Sequence, residues 1–165
     1  MLRVLIGLIW LLVCVSPLQA QTLQSILQTH AEEVANPSRT SVGTLLEDLV
    51  ASELPQVPLF LEQWSDRNVW QEGATGRFVI ATEDDDTLTL RDLDTGEEAT
   101  APNGGYTQIR PNGGVRRVIG TALVQFQLTE ADPARRLSAL DSIARRGEAD
   151  QLGPLIASLE GEDVP

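Results

Sequence analysis

Apolar residues recur along this chain at two different periods. Leu23, Ile26, Leu27 and Val34 lie at helical spacing and predict a first helix over residues 22–35. Asn36-Pro37-Ser38 ends it and can cap the next. Val42, Leu45, Leu46, Leu49 and Val50 then fall at i, i+3, i+4, i+7 and i+8, a stripe wide enough to face a core. Ser52 to Pro55 makes a turn, and Pro58 falls at or near it, since proline suits the first turn of a helix. Leu59, Leu61 and Trp64 are expected to carry the helix that follows.

The period changes after residue 65. Arg77-Phe78-Val79-Ile80-Ala81 is a β-branched and aromatic run, and Thr87-Leu88-Thr89-Leu90-Arg91 alternates as a half-buried strand does. Glu83-Asp84-Asp85-Asp86 between them predicts an acidic hairpin tip. Asp92-Leu93-Asp94-Thr95-Gly96-Glu97 is a turn with glycine where positive φ is needed. Val69-Trp70 is expected to add an edge strand, which completes a small antiparallel meander.

Asn103-Gly104-Gly105 and Asn112-Gly113-Gly114 punctuate loops. Val115, Val118, Ile119, Ala122, Leu123 and Phe126 then predict an amphipathic helix with Arg116 and Arg117 on its other side. Asp132-Pro133 opens a further helix with Leu137, Leu140, Ile143 and Ala144 inward; Gly147 ends it, and Leu152, Leu155, Ile156 and Leu159 line the last one. Asn36-Pro37 and Asp132-Pro133 are each followed 21 residues later by a proline, Pro58 and Pro154, and then by an apolar run. Helix, turn and proline-started helix is the outline of a HEAT-like hairpin. Two copies are fewer than a solenoid needs, so the helices require the β segment or another domain to complete their burial.

The first 20 residues read as an export signal. Arg3 is the positive start, and Val4 to Val15 is a 12-residue apolar core, short of the roughly 20 needed to span a bilayer. Ser16 to Ala20 breaks the helix and ends on a small residue, which places the cut after Ala20. The alternative is an uncleaved membrane anchor. Val13 does not suit the place before Cys14 in a lipidation site. The mature chain then has 145 residues and no cysteine, which excludes disulfides, thiolate catalysis and zinc–thiolate sites. No apolar stretch of 18 residues follows the leader.

All 12 basic residues are arginines; without Arg3, 11 of them face 24 acids, a formal charge of −13. Such a surface repels nucleic acid and anionic lipid headgroups. Residues 21–159 suit one domain: helical over 21–65, a β insert over 66–110, helical over 111–159, with a polar tail or linker at 160–165.

Candidate chemistry is sparse. His30 is the only histidine and sits on the polar side of the first predicted helix beside Glu32 and Glu33; a triad or zinc site needs further positioned groups. Glu83 to Asp86 and the Asp92, Asp94, Glu97 set offer carboxylates but lack a calcium-loop pattern. With Trp64, Trp70 and Tyr106 the only large amphipathic aromatics of the mature chain, an aromatic-lined glycosidase cleft is not expected. The tryptophans read better as buried anchors between helix and sheet. Arg116-Arg117, Arg135-Arg136 and Arg145-Arg146 form three pairs that read either as surface ion pairs or as a partner-contact stripe.

Thr95-Gly96-Glu97, Val115-Arg116-Arg117 and Asp132-Pro133-Ala134-Arg135-Arg136-Leu137, in this order after a signal peptide and a helical hairpin, resemble the N-terminal extracytoplasmic region of the urea ABC transporter permease subunit. That subunit is similar to branched-chain amino acid permeases. The likeness spans about Leu23 to Leu159, without the transmembrane bundle that follows in the family. It implies a non-catalytic periplasmic module of a urea or branched-chain amino acid uptake system. Its partners would be the membrane permease body and the periplasmic substrate-binding protein, and no cofactor or metal is implied. A stand-alone periplasmic HEAT-like protein-binding scaffold is the alternative. The expected class is α+β, helical hairpins flanking a small antiparallel β meander.

Overall fold

Thr22 starts the first helix by exchanging hydrogen bonds with Ser25: its Oγ1 accepts the Ser25 N–H at 3.2 Å, and the Ser25 Oγ accepts the Thr22 N–H at 3.1 Å. The computed structural model describes residues 21–128. The leader, the second helical hairpin, Arg135, Arg136, Arg145, Arg146 and the polar tail lie outside the described residues. Helix α1 (Leu23–Thr29) is followed directly by α2 (Ala31–Ala35), α3 (Val42–Ala51) and α4 (Val57–Ser65). The strands are β1 (Val69–Glu72), β2 (Phe78–Asp84), β3 (Thr87–Asp92), β4 (Glu98–Pro102) and β5 (Tyr106–Gln108), and α5 (Gly113–Leu128) follows. The α+β class is as expected.

Three expectations about the helices need correcting. The first helix is two, because His30 leaves the helical region at φ −110 and ψ 32. The inward stripe of α4 is Val57, Phe60, Leu61 and Trp64, not Leu59, which is 37% exposed. At about 100° per residue Leu59 points away from the side that Val57, Phe60 and Leu61 share. Moreover, α3 and α4, expected as two arms of one hairpin, each pack chiefly on α5 rather than on each other.

The sheet runs β4-β3-β2-β1-β5, antiparallel throughout. β1 is therefore interior, paired to β2 at Val69↔Ile80 and to β5 at Trp70↔Gln108, and the edges are β4 and β5. The edge assignment from sequence fails because β5 is too short and polar to announce itself. The two edges are joined by a single 3₁₀ turn, Asn103–Gly105. Four residue steps reach about 14 Å at most. A flat sheet would set those edges about 19 Å apart. The sheet must therefore curl. Hydrogen bonds at both ends of the connection hold the curl: Asn103 N–H donates to the Asp86 carbonyl at 3.0 Å, and Gly73 N–H to the Gly105 carbonyl at 2.9 Å.

Curling gives the sheet two buried faces. Val69, Phe78, Leu93 and Ile109 join the helices in the main core with Leu27, Leu45, Leu49, Phe60, Trp64, Val115 and Ile119. The alternate residues Trp70, Ala81, Leu88 and Leu90 form a second core with Val79, Ala101 and Tyr106, all from strands. The period-two alternation of β3 supplies Leu88 and Leu90 to that second core. The loop Asp92 to Glu97 turns as expected, with Gly96 at φ 72.

Candidate functional site

Arg116 and Arg117 stand exposed near the start of α5, opposite Val115 and Ile119, which lie in the core. The helix begins with Asn112 as its cap: the Oδ1 accepts the Val115 N–H at 3.0 Å, and its carbonyl accepts the Arg116 N–H at 3.0 Å. No acidic residue lies in the first turn of α5. Two cations therefore sit at the positive end of a helix dipole, a placement that costs stability. The ion pairs among the described residues are His30–Asp48 and Arg77–Asp92, so neither arginine is compensated by one. Of the three arginine pairs read from the sequence, this is the one within the described residues.

His30 is not on a free polar face. Its Nε2 lies 2.7 Å from the Asp48 Oδ2, and its side chain is only 12% exposed against 54% for Asp48. The contact ties the α1–α2 junction to α3. Sequence periodicity missed it because the partner lies 18 residues away on another helix.

The Asp92 carboxylate holds its own turn. Oδ1 accepts the N–H groups of Asp94 and Thr95, each at 2.9 Å, while Oδ2 meets the Arg77 guanidinium at 2.7 Å. The backbone hydrogen bond from Thr95 holds the carboxyl below its ordinary range, with further help from Asp94 N–H and the Arg77 charge against the opposing effect of burial. Asp94 reaches across to accept the Gln24 N–H at 3.3 Å, which docks the turn on α1. At the other acidic tip, Glu83 accepts from the Asn103 amide at 3.1 Å. Among the described residues no group of three or more His, Cys, Asp or Glu is arranged to hold a metal ion. These carboxylates build turns.

Two grooves are apolar. One, of about 400 Å³, runs between α3 and α5 over Leu46, Val50, Ala51, Val118 and Ala122, with Glu47 on its rim. The other, also about 400 Å³, continues past Val50 to Leu54, Pro58 and Phe126, with Glu53 on its rim. A smaller, polar groove of about 220 Å³ lies between α4 and the sheet, lined by Leu59, Gln63, Thr82, Thr89, Arg91 and Glu98. Among the described residues no helix is long and apolar enough to cross a membrane.

Trp64 is fully buried in the main core, and its indole N–H lacks a hydrogen-bond partner. Trp70 is 6% exposed in the second core. Both are anchors, yet on opposite faces of the sheet. The geometry thus places cations and apolar grooves on the helical side. Compared with protein-family models, with curated proteins and with solved structures, the chain finds no match.

Proposed function

We propose that this chain is a non-catalytic docking module, exported to the periplasm, of an ABC-type urea or branched-chain amino acid uptake system. It contacts the membrane permease body and the periplasmic substrate-binding protein. One observation carries the docking part of this reading: Arg116 and Arg117 are exposed, outside any ion pair among the described residues, and set where the helix dipole disfavours them, on a chain with a formal charge of −12. Cations kept at a stability cost suit an electrostatic contact with a partner. The transport part is supported by the order of the Thr95-Gly96-Glu97, Val115-Arg116-Arg117 and Asp132-to-Leu137 motifs.

The test is Arg116→Glu combined with Arg117→Glu in the full exported chain. Binding to the substrate-binding protein and permease body of such a system is expected to weaken about tenfold or more, as for a charge at an interface rim. Thermal stability is expected to hold or rise slightly, because glutamates suit a helix start. Unchanged binding to both would remove the docking role of this patch. Retained binding to an unrelated periplasmic protein, with none to the transporter, would favour the stand-alone scaffold.

A further inference from the structure

The same tetrapeptide, Pro-Asn-Gly-Gly, occurs twice in this chain, from Pro102 to Gly105 and from Pro111 to Gly114. A glycine after asparagine has no Cβ to hinder attack of its amide nitrogen on the asparagine side chain. Both copies therefore carry the same intrinsic reactivity. Local crowding does not separate them, since a Cβ at Gly104 or at Gly113 would meet nothing within 4 Å. The fold places them in opposite fields.

Asn103 lies in the link between β4 and β5, against the acidic hairpin tip. Its side-chain amide donates to Glu83 at 3.1 Å and its N–H to the Asp86 carbonyl at 3.0 Å, with Asp84 and Asp85 in the same tip. Asn112 is exposed and caps α5, a helix of 16 residues. Cations surround it. Arg110 precedes it by two residues, Arg116 and Arg117 follow it, and a Cβ on Gly114 would lie 3.6 Å from the Cβ and Cδ of Arg39. The Gly113 N–H stands at the helix start, where intrahelical acceptors are lacking.

We propose that Asn112 is a site of spontaneous deamidation, which turns the neutral cap of α5 into an anionic one, and that the fold spares its twin Asn103. The Gly113 nitrogen gives up its proton and bonds to the Asn112 Cγ. The Cγ–Nδ2 bond breaks, and ammonia leaves with that proton. Water then opens the cyclic imide at either carbonyl, which leaves an aspartate or an isoaspartate; no oxidant or reductant enters. The deprotonated nitrogen and the tetrahedral oxyanion are both negative. At Asn112 the arginines and the helix dipole stabilise them, and the Val115 N–H on Oδ1 polarises the carbonyl. At Asn103 the carboxylates oppose them. One unit charge about 7 Å away in water is worth a factor of about three, so opposite surroundings separate the two rates by about tenfold. The product carboxylate also suits a helix with no acid in its first turn, whereas at Asn103 it would face Glu83. This inference does not depend on the docking reading.

The test is incubation of the full chain at mildly alkaline pH, with peptide mapping by mass spectrometry at intervals. In the folded chain Asn112 is expected to convert about ten times faster than Asn103, and high salt should narrow the gap. In concentrated urea, where only the shared tetrapeptide remains, the two rates should meet. Equal rates in the folded chain, or a faster Asn103, would overturn the proposal, as would a gap that survives unfolding. Asn112→Asp and Asn103→Asp read the products directly. The first should melt at or above the parent and the second below it; the reverse order would also overturn the proposal.

Discussion

The Trp64 ring stacks on Phe60, one turn earlier on α4, with centroids 5.6 Å apart and planes inclined by 27°. Both rings are fully buried, so the pair holds α4 into the main core from a single face. Offset stacking of this kind adds about 0.5–1.5 kcal/mol beyond the area it buries. The buried indole N–H of Trp64 works against this gain, because it lacks an acceptor.

Trp64→Ala is expected to cost about 3–5 kcal/mol by leaving a cavity in the core. Trp64→Phe keeps a stacked ring and deletes the unsatisfied donor, whose burial costs about 1–3 kcal/mol. Its loss should be less than half that of the alanine variant. Urea unfolding of both, read as the shift in midpoint, checks the ratio.

The His30–Asp48 contact is the clamp between the α1–α2 junction and α3. Asp48→Ala should destabilise the fold by about 1 kcal/mol, since the exposed aspartate side of the pair is solvated in either state. His30→Ala should cost more, because its ring is largely buried and leaves a gap. Combining the two should cost less than their sum, as expected of residues that act through each other.

Asp92 sets an acid-range dependence. Its folded carboxyl lies below the usual 3.8, so it releases its proton more readily in the fold than in the unfolded chain. The stability it contributes is present above the ordinary carboxylate value and is lost as pH falls through the lowered one. Asp92→Asn keeps an oxygen for the Asp94 and Thr95 N–H groups but removes the charge that meets Arg77. The variant should melt lower than the parent at neutral pH and converge with it in strong acid. A constant gap at all pH values would contradict this.

Tyr106 is the chain's single tyrosine, so its ionisation can be followed by phenolate absorbance alone. Burial, and then the charge and hydrogen bond of Glu72, push its hydroxyl above the usual 10.0. The folded phenol therefore holds its proton more tightly, and its contribution to stability, present below pH 10, is lost as the pH climbs past the raised value. Glu72→Gln should bring the titration midpoint back part of the way and leave the share due to burial.

Much of the local structure was legible. The α3 stripe, the alternation of Leu88 and Leu90 and the glycine-bearing turn at Gly96 all fall where spacing and turn chemistry put them. What was not legible involved partners distant in sequence. Leu59 looked like core because it is apolar, yet Val57 and Phe60 take the inward positions of α4. His30 looked solvated because its partner is on another helix. The same holds for the exposed side of α5. The exposure of Arg116 and Arg117 could be read from periodicity, but the α3–α5 groove beside them could not.

Spacing along the chain determines which residues turn inward and where an element stops, because backbone sterics and side-chain period act over a few residues. It determined here that helices precede and follow a strand region. Only the tertiary structure decided that β5 returns to pair with β1, that β4 and β5 are bridged by three residues, and that Trp64 and Trp70 end on opposite faces of one curled sheet. The physical reason is chain closure. A three-residue link between outer strands is compatible with a curl and not with a flat sheet, and that constraint exists only once every strand has found its neighbour.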